Sequence, residues 1–367
     1  MSRRLTNVDG LRGLAAVLVI IGHWSEFVAA HSPGTLTSEI LHDIFLKYFS
    51  AGRTGIVAFF CISGFVIPFS FRGENPKINF LISRFFRLYP AYWVSMICGM
   101  LSIYLLSGFR FPYWDIAANI TMLPALLKAI PIIGVYWTLH IEIFFYASCF
   151  LIFWAGYIHS AKANFILMVV WLCLGLLGGG YRFFHPESSL PIGIPTYLAA
   201  MHFGTLARIK ILEENEPSSN LLKAALLLLL TAVITSNTAG YIASHTEIVG
   251  WVAANTGYVA GIILFLLCIW KNFFAGKIMA YVGLISYSLY LFHTPSIQIF
   301  EYFWPKFSSW QLAACVGTFF VFSASFLIAS LVQKFVEKPM IGVARKLERT
   351  FDRSIRGANV LKQGRER

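Results

Sequence analysis

Three side chains near the start of the chain fall on one helical stripe and could together run acid–base chemistry. Arg12 and His23 are eleven residues apart. At about 100° per residue they are offset by only about 20°, so they share a face, with the imidazole roughly 16 Å further along the axis. Glu26 stands three residues beyond His23, about 60° round the same helix. A carboxylate one turn away orients an imidazole and stabilises its protonated form. His23 with Glu26 is therefore a candidate general base for a hydroxyl group. The same spacing also suits a hydrogen-bonded structural histidine, with Arg12 marking a membrane edge. Asp9, just before Gly10, is of the type and place of a helix N-cap.

Other polar groups interrupt apolar stretches further on. Arg84 and Arg87, three apart in Arg84-Phe85-Phe86-Arg87, can grip phosphates with paired donors or anchor the chain on anionic lipid. Glu142 sits in the aromatic stretch Trp137–Tyr146 and needs a partner, as a site residue or as a clamp between helices. His293 lies in Ser286-Tyr287-Ser288-Leu289-Tyr290-Leu291-Phe292-His293. Arg53 can anchor a span end or meet an anionic acceptor. Ser63-Gly64 permits close helix approach. Glu337-Lys338-Pro339 reads as a helix stop. His31, His42, His159, His185, His202 and His245 are scattered, and most of them read as loop or interface residues. The six cysteines lie inside apolar runs without a CxxC pair. They read as small buried hydrophobes, with neither a disulfide frame nor a metal site.

The elements that must carry these groups are membrane helices. Of 367 residues, 57% are hydrophobic and 13% charged, with mean hydropathy +0.69; soluble domains run near 45–50% apolar and about 25% charged. That excludes a soluble enzyme, a disordered chain and a fibre. With about 20 apolar residues per crossing, the chain divides into ten candidate spans. They cover roughly 10–30, 54–71, 90–107, 134–157, 164–180, 191–207, 221–239, 247–270, 278–300 and 310–336. The weaker run 114–130 holds Trp114, Asp115, Asn119, Pro124 and Lys128 and reads as interfacial or re-entrant. With the N-terminus inside, 22 of the 29 Lys and Arg fall in inner segments and six in outer ones. This bias predicts an all-α, polytopic N-in/C-in protein in a lipid bilayer. The net charge of +12 thus reports loop placement, and without a nucleic-acid-binding motif no nucleic-acid partner is expected. Arg3 and Arg4 before an apolar run imitate a signal peptide, but His23 and Glu26 within that run argue against cleavage. Residues 1–340 form the transmembrane domain and 341–367 a basic cytoplasmic tail. There is no internal repeat of the kind a two-halved transporter carries.

Together these blocks resemble the acyltransferase 3 family of bacterial membrane acyltransferases. The resemblance rests on Val8-Asp9-Gly10-Leu11-Arg12-Gly13-Leu14-Ala15-Ala16 leading to His23, and on the Phe59–Ile67 block with Ser63-Gly64-Phe65. The Arg84/Arg87/Pro90 block, the Trp137/Glu142/Phe145/Tyr146 block, Ser286-Tyr287/Tyr290-Leu291/His293 and Glu337-Lys338-Pro339 complete it. It implies ten helices in the bacterial inner (cytoplasmic) membrane. It implies an acyl-CoA donor, usually acetyl-CoA, entering from the cytoplasm as a substrate rather than a bound cofactor. The implied acceptor is a hydroxyl on a surface or lipid-linked saccharide. The family's Arg-x10-His motif falls on Arg12 and His23 as essential residues, with Glu142 and His293 carried over beside them. The chain departs at Val57, where the family often has an acidic residue. No appended hydrolase-like domain is expected, so the chain would act alone or hand its acyl group to a separate partner.

The expectation is a membrane O-acyltransferase. Arg84, Arg87 and Arg12 receive the donor, and His23 acts as general base or transient acyl carrier in one channel running up past Arg12. The alternative from another class is a proton-coupled transporter or flippase of a glycan precursor, with His23, Glu26, Glu142 and His293 as its proton relay.

Overall fold

The computed structural model describes residues 3–365 apart from 33, 213–218, 243–249, 272–273 and 275. His245 lies outside the described residues. No strand occurs among them, and the helices in order are α1 (Arg3–His31), α2 (Leu36–His42), α3 (Ala51–Val66), α4 (Pro76–Ser107), α5 (Tyr113–Ile120), α6 (Trp137–Trp154), α7 (Ala161–Phe184), α8 (Gly193–Leu212), α9 (Ser219–Ile242), α10 (Trp251–Trp270), α11 (Lys277–Phe303), α12 (Trp310–Val332) and α13 (Lys338–Arg365). Local chemistry sets several ends. Ser50, Ser160 and Ser309 accept from the backbone N–H three residues on, at the starts of α3, α7 and α12. Gly108, with φ of 71°, terminates α4 in the left-handed region. Asp9 is no N-cap: α1 already runs from Arg3, because the polar residues before Asp9 continue the helix.

Among the described residues, eight helical segments are long and apolar enough to cross a membrane. The two remaining candidates from the sequence, 191–207 and 278–300, correspond to α8 and α11. Both carry polar groups, but α8 from Thr196 to Ala207 is almost wholly buried by its neighbours, and so is α11 from Ile285 to Ile297. A helix enclosed by protein rather than lipid can keep polar side chains, and its hydropathy falls accordingly.

Small residues fix how the central helices cross. α1 packs between α11 and α3, and α3 in turn against α8 and α10. Gly13 lies on Gly283, and a methyl group on Gly283 would collide with the Asp9 carbonyl. Ten residues on, in both helices, stand His23 and His293. The parallel α1–α11 pair thus carries its glycine register up to the imidazoles. α3 runs antiparallel to α1, with Gly55 on Ala15 and Gly52 on Gly22. Gly64 and Gly204 bring α3 and α8 into backbone contact, at the Met201 and Cys61 carbonyls respectively. Val57 is fully buried against Gly261 of α10, which leaves no room for a solvated carboxylate there. Gly64→Val therefore forces two main chains apart and is expected to cost about 3 kcal/mol or more. Gly180→Ala, in open space within α7, is the neutral control. Thermal unfolding in detergent checks both, and an unchanged melting curve for Gly64→Val would contradict the crossing.

Residues 113–136 fold back against α4 rather than crossing. Tyr92, Trp93 and Tyr89 of α4 donate to the Asn119, Ile120 and Thr121 carbonyls, while Gly99 touches Ile133 on the return. The segment descends beside α4 and climbs again, so the run is re-entrant. Its irregular backbone survives because protein side chains satisfy it.

The helix-stop reading of Glu337-Lys338-Pro339 is corrected. Helix continues from α12 through a π-helical turn, Gln333–Glu337, into α13, since a proline in the first turn of a new helical segment is compatible with helix. α13 then packs along α4, where the Asp352 carboxylate accepts from the Glu74 and Asn75 backbone and from Asn79 Nδ2. His202 is another correction: it is no loop residue but is fully buried in α8, bonded to Asn164. All six cysteines are free; Cys61, Cys149 and Cys268 are buried, whereas Cys98, Cys173 and Cys315 are exposed on helix faces rather than enclosed.

Candidate active site

Five helices, α1, α3, α4, α6 and α11, line a partly open cavity of about 120 Å³. Arg12, Arg84, Arg87 and Glu142 all line it. Four side chains from three separate stretches of sequence are thereby brought to one chamber. The remaining walls are largely apolar and aromatic: Ile56, Phe59, Phe60, Ile62, Val66, Ile67, Leu88, Leu139, Tyr146, Tyr287 and Tyr290, with Ser63, Thr138 and Ser286. From Val66 to Ile56 the lining follows α3 for roughly 15 Å, which describes a slot rather than a bowl.

The charges are not equivalent. Arg87 Nη1 donates to Glu337 Oε2 at 3.0 Å, and Ser288 donates to the other carboxylate oxygen at 2.5 Å. Glu337 is 1% exposed, so it is a buried counter-charge that holds Arg87 against the Tyr287 ring. The sequence reading missed this role. Its only signal was a lone carboxylate ending an apolar stretch. Glu142 accepts from Tyr146, one turn along its own helix, at 2.7 Å; it is a pocket residue and not a clamp between helices. Arg84 lies over the Phe80 and Tyr146 rings with its Nε lacking a hydrogen-bond partner. Arg12 makes no hydrogen bond or ion pair within 4.0 Å among the described residues. Three guanidiniums face one carboxylate in the lining, an arrangement complementary to a polyanion.

His23 lies outside this cavity, one turn beyond its end. Its Nδ1 is 3.1 Å from Glu26 Oε2. A carboxylate only accepts, so Nδ1 carries the proton and Nε2 presents its lone pair. The ring stacks on His293 at 5.3 Å between centroids. His293 is fully buried; its Nδ1 donates to the Tyr290 carbonyl at 2.6 Å and its Nε2 faces the Thr294 hydroxyl at 3.2 Å. His293 is thus a fixed platform, whereas the His23 side chain is 36% exposed. Tyr290 stands between the two sites: it lines the cavity and packs against His293 at 5.7 Å. Arg53 donates to Tyr241 of α9 at 3.1 Å.

A polyanion-complementary slot ending beneath an oriented imidazole is an arrangement suited to group transfer from a long anionic donor. Comparison with known proteins points the same way. The sequence matches the acyltransferase 3 family, described as an acyltransferase domain, over residues 5–331. The chain belongs to this family. It is also similar to acyltransferase MdmB of Streptomyces mycarofaciens, with 29% identity over 155 residues. That stretch is 40% of this chain and 38% of MdmB, so it spans well under half of the relative. No solved structure matches the chain.

Proposed function

We infer that the protein is a membrane O-acyltransferase that takes an acyl group, most simply acetyl, from acyl-CoA and delivers it to a hydroxyl of a surface or lipid-linked saccharide. The observation that carries this reading is the cavity itself, with three guanidiniums in its lining and an imidazole pair beside its lining residue Tyr290. The CoA phosphates meet Arg84 and Arg87, and the pantetheine arm follows α3 past Arg12. The acyl carbonyl then comes up beneath His23. There Nε2 either removes the acceptor hydroxyl proton during direct attack or takes the acyl group and passes it on. α8 and α11 complete ten crossings with both ends inside, as the Lys/Arg bias requires, and the chain resides in a bacterial inner membrane. Residues 341–367 belong to the cytoplasmic side. A transporter using His23, Glu26, Glu142 and His293 as a relay finds less support, because the buried His293 is already committed to the Tyr290 carbonyl.

Reconstituted protein with labelled acetyl-CoA and a saccharide acceptor tests the reading: CoA release with labelled glycan supports it, and movement of an unmodified solute without CoA release refutes it. Within it, Arg84→Gln removes a charge-assisted phosphate contact. The apparent KM for acyl-CoA is expected to rise about tenfold with kcat nearly unchanged. A loss confined to kcat would move Arg84 out of donor binding.

A further inference from the structure

In the cavity wall that backs onto the stacked imidazoles stands a small triangle of oxygens. Thr138 Oγ1 and Tyr290 Oη are 2.7 Å apart, and both approach the Val135 carbonyl, at 3.2 and 2.7 Å. Two hydroxyl protons serve three oxygens, so the triangle consumes its own donors. The edge of Phe59 packs across Tyr290 at 6.3 Å. Tyr290 is 6% and Thr138 7% exposed, while the His23 side chain on the far side is 36% exposed. A donor that fills the slot from its cationic end brings its thioester up to this triangle, with His23 beyond it.

We propose that the Thr138–Tyr290 pair is a gate between a donor chamber and an acceptor chamber, and that Tyr290 is a positioning residue of the transfer. The proposal rests on the acyl-CoA reading. With the triangle intact, the thioester is shielded from water on the His23 side. When Tyr290 leaves the Val135 carbonyl, the acyl carbon is opened to His23 and the acceptor hydroxyl. A gate that fails to hold admits water instead. The water oxygen then bonds to the acyl carbon, the carbon–sulfur bond breaks, and the sulfur leaves as CoA thiolate. The thiolate takes up the proton that water loses, giving free acid and CoA.

Tyr290→Phe and Thr138→Val keep side-chain size and remove the hydroxyls. In each, the ratio of CoA released to acyl group transferred is expected to rise about tenfold above the wild-type value near unity, because each loses hydrogen bonds that hold the gate shut. A merely structural role lowers both quantities together and leaves the ratio alone. A second measurement is independent of turnover. Ser63→Cys reports from inside the cavity, in a background with Cys98, Cys173 and Cys315 changed to serine, in sealed vesicles of single orientation. A membrane-impermeant thiol reagent should label it from one side only, and from both sides once Tyr290→Ala is added. An unchanged ratio in both hydroxyl variants, or one-sided labelling that persists in Tyr290→Ala, overturns the gate. If the wild type consumes no acyl-CoA while labelling still changes from one side to both, the donor reading falls and the partition stands.

Discussion

His23→Ala is expected to reduce acyl transfer by about 10³-fold or more, the scale lost when a positioned base or nucleophile is removed. The fold should persist. The ring is partly exposed and contacts a rigid platform in His293, so its loss opens no closed core cavity. Acyl-CoA binding should also persist, because the slot ends one turn earlier. Binding of labelled acyl-CoA, melting temperature and transfer rate measured on one preparation separate these effects. A variant that retains a tenth of wild-type transfer would remove His23 from the chemistry. In the wild type, exchange of label between CoA and acyl-CoA without acceptor identifies an acyl-imidazole; its absence identifies direct attack assisted by Nε2.

Arg12→Met is expected to separate stability from function in opposite directions. Arg12 lines the cavity without a hydrogen bond or ion pair to any described residue. Holding a guanidinium there without a hydrogen-bond partner costs free energy that the nearby Asp9, Glu142 and Glu337 carboxylates only partly offset, and an apolar side chain of similar length relieves the cost. The melting temperature of the ligand-free protein should therefore stay level or rise by a few degrees. Transfer should fall about 10²-fold, since a charge-assisted contact to the donor is worth about 1.5–3 kcal/mol. The stabilisation that acyl-CoA confers on the wild type should shrink as well. A variant that is both destabilised and fully active would mean that Arg12 supports the fold and nothing else.

Arg12 and His23 also mark how far sequence reaches. Their common face follows from helical periodicity alone, and so does the Glu26 carboxylate one turn on, found 3.1 Å from the imidazole. The dominance of membrane helices was equally legible, because hydropathy over about 20 residues is a local property. The pairing of His23 with His293 was not. It depends on the parallel register of α1 and α11, set by Gly13 on Gly283, and a contact across 270 residues leaves no local trace. Arg84, Arg87 and Glu142 could be suspected singly as polar groups in apolar surroundings. Only the packing of α4 against α11, and of α6 against α3 and α8, makes them walls of one chamber.

Glu337 was misread for a related reason: proline two residues later is a local stop signal, whereas the carboxylate's burial against Arg87 and Ser288 is a tertiary fact. The oxygen triangle at Tyr290 lay equally out of reach, since a hydroxyl's partners are chosen by neighbouring helices. The sequence by itself determined that this chain is helical, that it belongs in a bilayer, and which ionisable groups demanded an explanation, because each follows from composition and period. The tertiary structure alone decided which of those groups meet and which are neutralised, because burial and pairing arise only when separate helices pack.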